Sequence, residues 1–129
     1  MSKLIQGVHH IALKPTAEQY SSVVELYTKV LGMEVTKSWG DPNMPCLMVS
    51  CGDNSCLEII PEKEMSQKGG ALNHLALATD KVDEAIARVR EAGYEIAIEP
   101  NDMELAGSPI RIAFFWGPMG EYLELFWEK

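Results

Sequence analysis

The sequence predicts an α+β chain built from two paired βαβββ modules, whose strands form a curved eight-stranded mixed sheet around a cavity. Three observations carry this. The order strand, helix, strand, strand, strand occurs twice along the 129 residues. The first strands of the two halves contain matching strings, Val-His-His10-Ile-Ala-Leu and Leu-Asn-His74-Leu-Ala-Leu. The fourth strands contain Glu58 and Glu124, which follow His10 by 48 residues and His74 by 50. Two copies in so short a chain imply paired modules rather than a stacked solenoid.

The first element is Gly7 to Lys14, apolar-rich and closed by Pro15, which has no N–H for a ladder. Thr16-Ala-Glu-Gln19 has the form of a capping box, and Tyr20, Val23, Val24, Tyr27, Val30 and Leu31 follow at helical spacing before Gly32. This predicts an amphipathic helix over about 17–31. Strand-like runs at Met33–Trp39, Cys46–Cys51 and Cys56–Ile60 are separated by Gly-Asp-Pro-Asn and Gly-Asp-Asn-Ser turns, the last two as a hairpin.

Residues Pro61 to Gly70 are polar and end in two glycines, a linker between modules at about 1–66 and 70–129. The second half then reads as a strand at Leu72–Ala78, Asp80 as an N-cap, and a helix with Val82, Ile86 and Val89 that stops at Gly93. Strands at Tyr94–Glu99, Ile110–Trp116 and Glu121–Trp127 complete it, with Gly117-Pro-Met-Gly120 as the last turn.

Length and an apolar content of 47% suit one compact domain with its own core. A formal net charge of −8 opposes binding to nucleic acid through counterion release. No apolar run approaches the roughly 20 residues that span a bilayer, so no membrane association is expected and the chain reads as cytoplasmic. Cys46, Cys51 and Cys56 are odd in number and spaced by five, which fits free thiols rather than a disulfide framework. Cys56 shares a strand face with Glu58.

The candidate chemistry comes from placing the polar residues on the repeat. Ile11, Leu57, Ile59, Leu75, Leu123 and Leu125 flank His10, Glu58, His74 and Glu124. Strand alternation turns these apolar neighbours toward the helices and the four polar residues toward the other face. A carboxylate buried there without a partner would cost several kcal/mol, whereas a divalent cation compensates it directly. Two imidazoles and two carboxylates form a mixed nitrogen and oxygen set suited to zinc or a divalent transition metal. A single His or Glu in a strand is usually just solvated or hydrogen-bonded; four at equivalent positions of two modules favour the metal. Alternation sends His9 to the opposite face from His10, and no catalytic role is expected for it. Trp39, Trp116 and Phe126 are expected mainly in packing.

With these residues in place, the chain resembles the vicinal oxygen chelate superfamily (glyoxalase, bleomycin resistance and extradiol dioxygenase) over essentially its whole length. Within it, the sequence is similar to glyoxalase I of the bacterial type, through Leu26-Tyr-Thr-Lys-Val-Leu-Gly-Met33, His74-Leu-Ala-Leu and the ligand order His10, Glu58, His74, Glu124. The resemblance implies a metal-dependent lyase that isomerises the hemithioacetal of a 2-oxoaldehyde and a thiol to a 2-hydroxyacyl thioester. It implies a divalent ion (Ni, Co, Zn or Mn) and Glu124 or Glu58 as general base. Lys14 stands where that family has an arginine for the glutathione carboxylate, and Glu62 where an Asn follows the first Glu ligand. A lysine pairs with a carboxylate as a point charge without the bidentate fork of arginine, which leaves the thiol open.

The alternatives are another reaction on the same site (acyl-CoA epimerisation, epoxide opening or thiol transfer to an antibiotic) and a metal-free drug-binding protein. The expected partners are a small-molecule substrate and a second copy of the chain. In that homodimer the modules pair within one chain or exchange across the two-fold axis.

Overall fold

The computed structural model describes residues 4–62, 71–118 and 120–129. Among the described residues, eight strands and two α-helices follow in the order β1 (Gly7–Leu13), α1 (Tyr20–Glu25), β2 (Val35–Trp39), β3 (Cys46–Ser50), β4 (Cys56–Ile59), β5 (Leu72–Ala78), α2 (Val82–Glu91), β6 (Ile96–Leu105), β7 (Ser108–Trp116) and β8 (Tyr122–Glu128). The α+β class and the twice-repeated βαβββ order are those the sequence predicts. Most of the expected linker, including Gly69 and Gly70, lies outside the described residues, as does Met119 of the last turn.

The chain divides into two compact units, His10–Asn73 and Met1–His9 with His74–Lys129. In the first, the strand order is β2-β3-β4-β1, with β1 parallel to β4 and the other pairs antiparallel. Tyr20 of α1 packs with Leu47, Val49 and Ile59. The alternate residues Met48 and Glu58, opposite each other in the β3–β4 register, therefore turn to the other face.

The first helix is shorter than its periodicity suggests. The capping box forms: the Thr16 amide donates to Gln19 Oε1 at 3.1 Å and the Gln19 amide to Thr16 Oγ1 at 3.3 Å. It closes a turn ahead of the helix, which begins only at Tyr20. After Glu25 the chain widens into a π-type turn over Leu26–Val30, where the Leu31 amide reaches back to the Leu26 carbonyl. The Thr28 hydroxyl donates to the Val24 carbonyl at 2.6 Å, a side-chain bond that competes with the regular ladder at this point. Gly32, at φ +73°, ends the element as expected.

In the second unit the order is β5-β8-β7-β6, again with one parallel pair, β5 with β8. Val82, Ala85 and Ile86 of α2 pack on Ala113, Phe115 and Leu125, while Ala76, Ile110, Ile112, Phe114 and Phe126 form a second cluster. Alternation along β7 and β8 separates these two sets. The N-cap is Lys81 rather than Asp80, and the Lys81 amide donates instead to the Thr79 hydroxyl at 3.0 Å.

The β6–β7 hairpin is longer than the sequence indicates. The expected strand ends at Glu99, yet β6 runs on through Pro100 as the outer strand of its set, and the pairing skips from Ile98↔Phe114 to Asn101↔Ile112. The irregularity accommodates a residue without an N–H. The hairpin turns at Ala106 (φ +48°) and Gly107 (φ +83°). Two positive φ values match a tight turn in which Asn-Gly is preferred and alanine carries a steric penalty. Ala106→Asn is expected to raise stability by about 0.5–1 kcal/mol, measured as an upward shift of the urea midpoint with an unchanged slope.

Candidate metal centre

Each unit contains one histidine–glutamate pair in which both residues are buried. In the unit His10–Asn73, His10 on β1 is 1% exposed and Glu58 on β4 is 8% exposed. Their Nε2 and Oε1 atoms lie 3.3 Å apart. The parallel register sets this: Ala12 is opposite Glu58 and Cys56 opposite His10, so the two side chains are in phase on neighbouring strands. In the other unit, His74 Nε2 and Glu124 Oε1 are 3.0 Å apart, and both residues are buried. The parallel β5–β8 register, with Ala76 opposite Glu124, repeats the relation. Leu125 and Ile59, neighbours of the two glutamates, face the helices.

The donors fit a divalent ion. Two ligands each about 2.0–2.2 Å from one ion, at near-cis angles, stand roughly 3.0–3.3 Å apart, the spacing found in both pairs. A hydrogen bond would give a similar distance. The recurrence of one imidazole and one buried carboxylate at the same strand positions in both units is what favours ligation.

The surroundings differ between the pairs. Beside Glu58, burial and the charge of that glutamate push the Cys46 thiol up from its ordinary range. Cys56 Sγ lies 3.5 Å from Met48 Sδ, so sulfur lines this face. None of the three cysteines is in a disulfide. Beside Glu124, burial and then the glutamate's charge push the Tyr122 hydroxyl up from its ordinary range. Phe114 meets the His74 ring edge-on at 5.3 Å. Phe114 and Tyr122 are not among the residues singled out by the sequence. Their signal is the phase of Tyr122 with Glu124 and the register that sets Phe114 opposite Glu124.

Lys14 follows β1 in phase with His10, half-buried, its amide donating to the Ala71 carbonyl at 2.9 Å. Glu62 bridges to Thr16, its amide donating to the Pro15 carbonyl. His9 belongs to the other unit from His10. Its Nε2 is 3.1 Å from Glu128 Oε1 and its ring is tilted against Phe126 at 4.0 Å. Both partners are in phase with Glu124, so His9 is engaged on that face of β8 rather than solvated. Phe126 is core, as expected, but Trp116 is 40% exposed.

No helix among the described residues is long and apolar enough to cross a membrane. The chain is 27% identical over 113 residues to a lactoylglutathione lyase of Escherichia coli O157:H7, covering 82% of each. A methylmalonyl-CoA epimerase of Mycobacterium tuberculosis shares its fold with a TM-score of 0.77 at 19% identity, over 100% of this chain and 92% of that one. One of Streptomyces coelicolor, in complex with 2-nitronate-propionyl-CoA, gives 0.73 at 22% identity, over 96% and 98%. The model of the Glyoxalase/Bleomycin resistance protein/Dioxygenase superfamily matches residues 7–125, and the chain belongs to that superfamily.

Proposed function

We propose that this chain is a divalent-metal-dependent lyase of the glyoxalase I type, with His10, Glu58, His74 and Glu124 as one ligand set. The observation that supports it most is the repeated, buried histidine–glutamate pair at equivalent strand positions of the two units. Sequence similarity to the lactoylglutathione lyase supports the choice of reaction.

A divalent ion held there supplies Lewis-acid stabilisation of the negative charge that develops on adjacent substrate oxygens. The chain's own residues move the proton. Glu124 or Glu58 removes it from the carbon bearing sulfur and returns it to the neighbouring carbon, so the 2-oxoaldehyde adduct becomes a 2-hydroxyacyl thioester with no net gain or loss of atoms. Burial of both carboxylates excludes bulk water from this transfer. Lys14 is placed by the reading to pair with a carboxylate of the thiol.

A second reading, epimerisation of an acyl-CoA, takes its reaction from the methylmalonyl-CoA epimerases that share the fold. Metal analysis of the purified chain, followed by assays with methylglyoxal plus several thiols and, in parallel, with methylmalonyl-CoA, separates the two. Thioester formation from methylglyoxal is the expected result. Exchange of the methylmalonyl-CoA α-proton without thioester formation would replace this reading by the second. Failure to retain nickel, cobalt, zinc or manganese would remove both.

A further inference from the structure

We propose that Cys56 and Met48 form a binding site for a soft monovalent cation of the Cu(I) class. The sulfur pair is distinct from the four residues of the lyase reading, and neither depends on the other.

The strand register builds the pair. In the antiparallel β3–β4 ladder Met48 is opposite Glu58 and Ser50 opposite Cys56, so Met48 and Cys56 are diagonal neighbours on one face. The other face of these strands carries Leu47, Val49 and Ile59, packed with Tyr20 of α1. Cys56 Sγ and Met48 Sδ stand 3.5 Å apart. Met48 is 2% exposed and Cys56 half-buried, which leaves the thioether dry and the thiol within reach of an incoming ion. Cys46 lies further along β3 and Cys51 beyond its end, and no cysteine is in a disulfide.

Three features point to a soft ion of single charge. Thiolate and thioether are soft donors, which select Cu(I) over harder divalent ions. Metal–sulfur bonds of about 2.3 Å at an angle near 100° set two sulfurs about 3.5 Å apart, the spacing of this pair. A thiol–thioether hydrogen bond spans a similar distance, but a thioether is a weak acceptor and gains more as a ligand. One thiolate neutralises one positive charge, so the ion and its ligands are buried without net charge. On binding, the Cys56 S–H proton leaves to solvent as the copper–sulfur bond forms, and no electron is transferred. The bent angle leaves a third position open, through which a carrier ligand can deliver or withdraw the ion.

The test is anaerobic competition for Cu(I) between the full chain and bicinchoninate, followed by the colour of the copper–bicinchoninate complex. The wild type is expected to withdraw at least one equivalent of Cu(I). Met48→Leu, a volume-conserving change at a buried position, should weaken the tightest-bound equivalent by at least about tenfold, and Cys56→Ser by at least about a hundredfold. Cys46→Ser and Cys51→Ser should each leave it within about twofold. Copper-edge X-ray absorption of the wild-type complex examines the pair without any substitution, with two sulfurs expected about 2.3 Å from copper. A wild type that cannot compete with bicinchoninate would overturn the site. So would an affinity unchanged in either Met48→Leu or Cys56→Ser, or one lost in Cys46→Ser or Cys51→Ser, which would place the ion on another thiol. If Met48→Leu or Cys56→Ser does not fold, the sulfur count in the wild type decides, and fewer than two overturns the pair.

Discussion

Glu124→Gln is expected to lower kcat of the metal-loaded chain by about 10²–10⁴-fold, with Glu58→Gln falling by a similar factor if that residue is the base. Glutamine keeps the volume and one carbonyl oxygen but removes the proton acceptor. Steady-state rates of thioester formation on protein with verified metal content are the measurement. Full activity in both variants would eliminate the glutamate mechanism. The choice of glutamine matters because Glu124 is 4% exposed beside His74, and truncating one partner of a buried charged pair costs about 3–5 kcal/mol. An alanine variant would therefore confound loss of chemistry with loss of folding. The glutamine variant that retains metal yet loses turnover identifies the base; the one that loses metal identifies a residue needed chiefly as ligand.

The second large effect is on stability. A divalent ion that binds only the folded chain stabilises it by about 2.7 kcal/mol at a free concentration one hundred times its dissociation constant. Adding nickel, cobalt, zinc or manganese to chelator-treated protein is expected to raise Tm by roughly 5–10 °C, at about 2–4 °C per kcal/mol for chains near this size. His10→Ala with His74→Ala should abolish the shift, because each substitution removes the imidazole from one pair. This measurement is blind to turnover and so tests ligation by itself. An unchanged rise in Tm in the double variant would place the ion elsewhere.

Much of the arrangement is legible in the sequence because two periodicities coincide. Alternation in β4 and β8 sends Ile59 and Leu125 to the helices and Glu58 and Glu124 away from them. The repeat then brings each glutamate beside a histidine through a parallel strand pair. What the sequence conceals has local causes. The Thr28 side-chain bond accompanies a π-type turn where apolar spacing continues as a helix. The extension of β6 past Glu99 is hidden because Pro100 is tolerated only in an outer strand at a register shift. Ala106 gives no turn signal, since alanine seldom takes positive φ. The neighbouring histidines of β1 have different partners, His9 with Glu128 and His10 with Glu58.

The alternation within β8 also constrains how such a protein can vary. Leu123, Leu125 and Trp127 serve the interior under α2, and Tyr122, Glu124 and Phe126 serve the opposite face, interleaved one residue at a time. A point substitution can alter one set while leaving the residues of the other in place. Insertions and deletions have no such freedom. Losing one codon within β8 would exchange the roles of the two sets at once, sending a carboxylate under the helix and a leucine to the chemistry. Lineages descending from such a chain are therefore expected to tolerate length changes in the turns and to keep strict residue spacing along the strand.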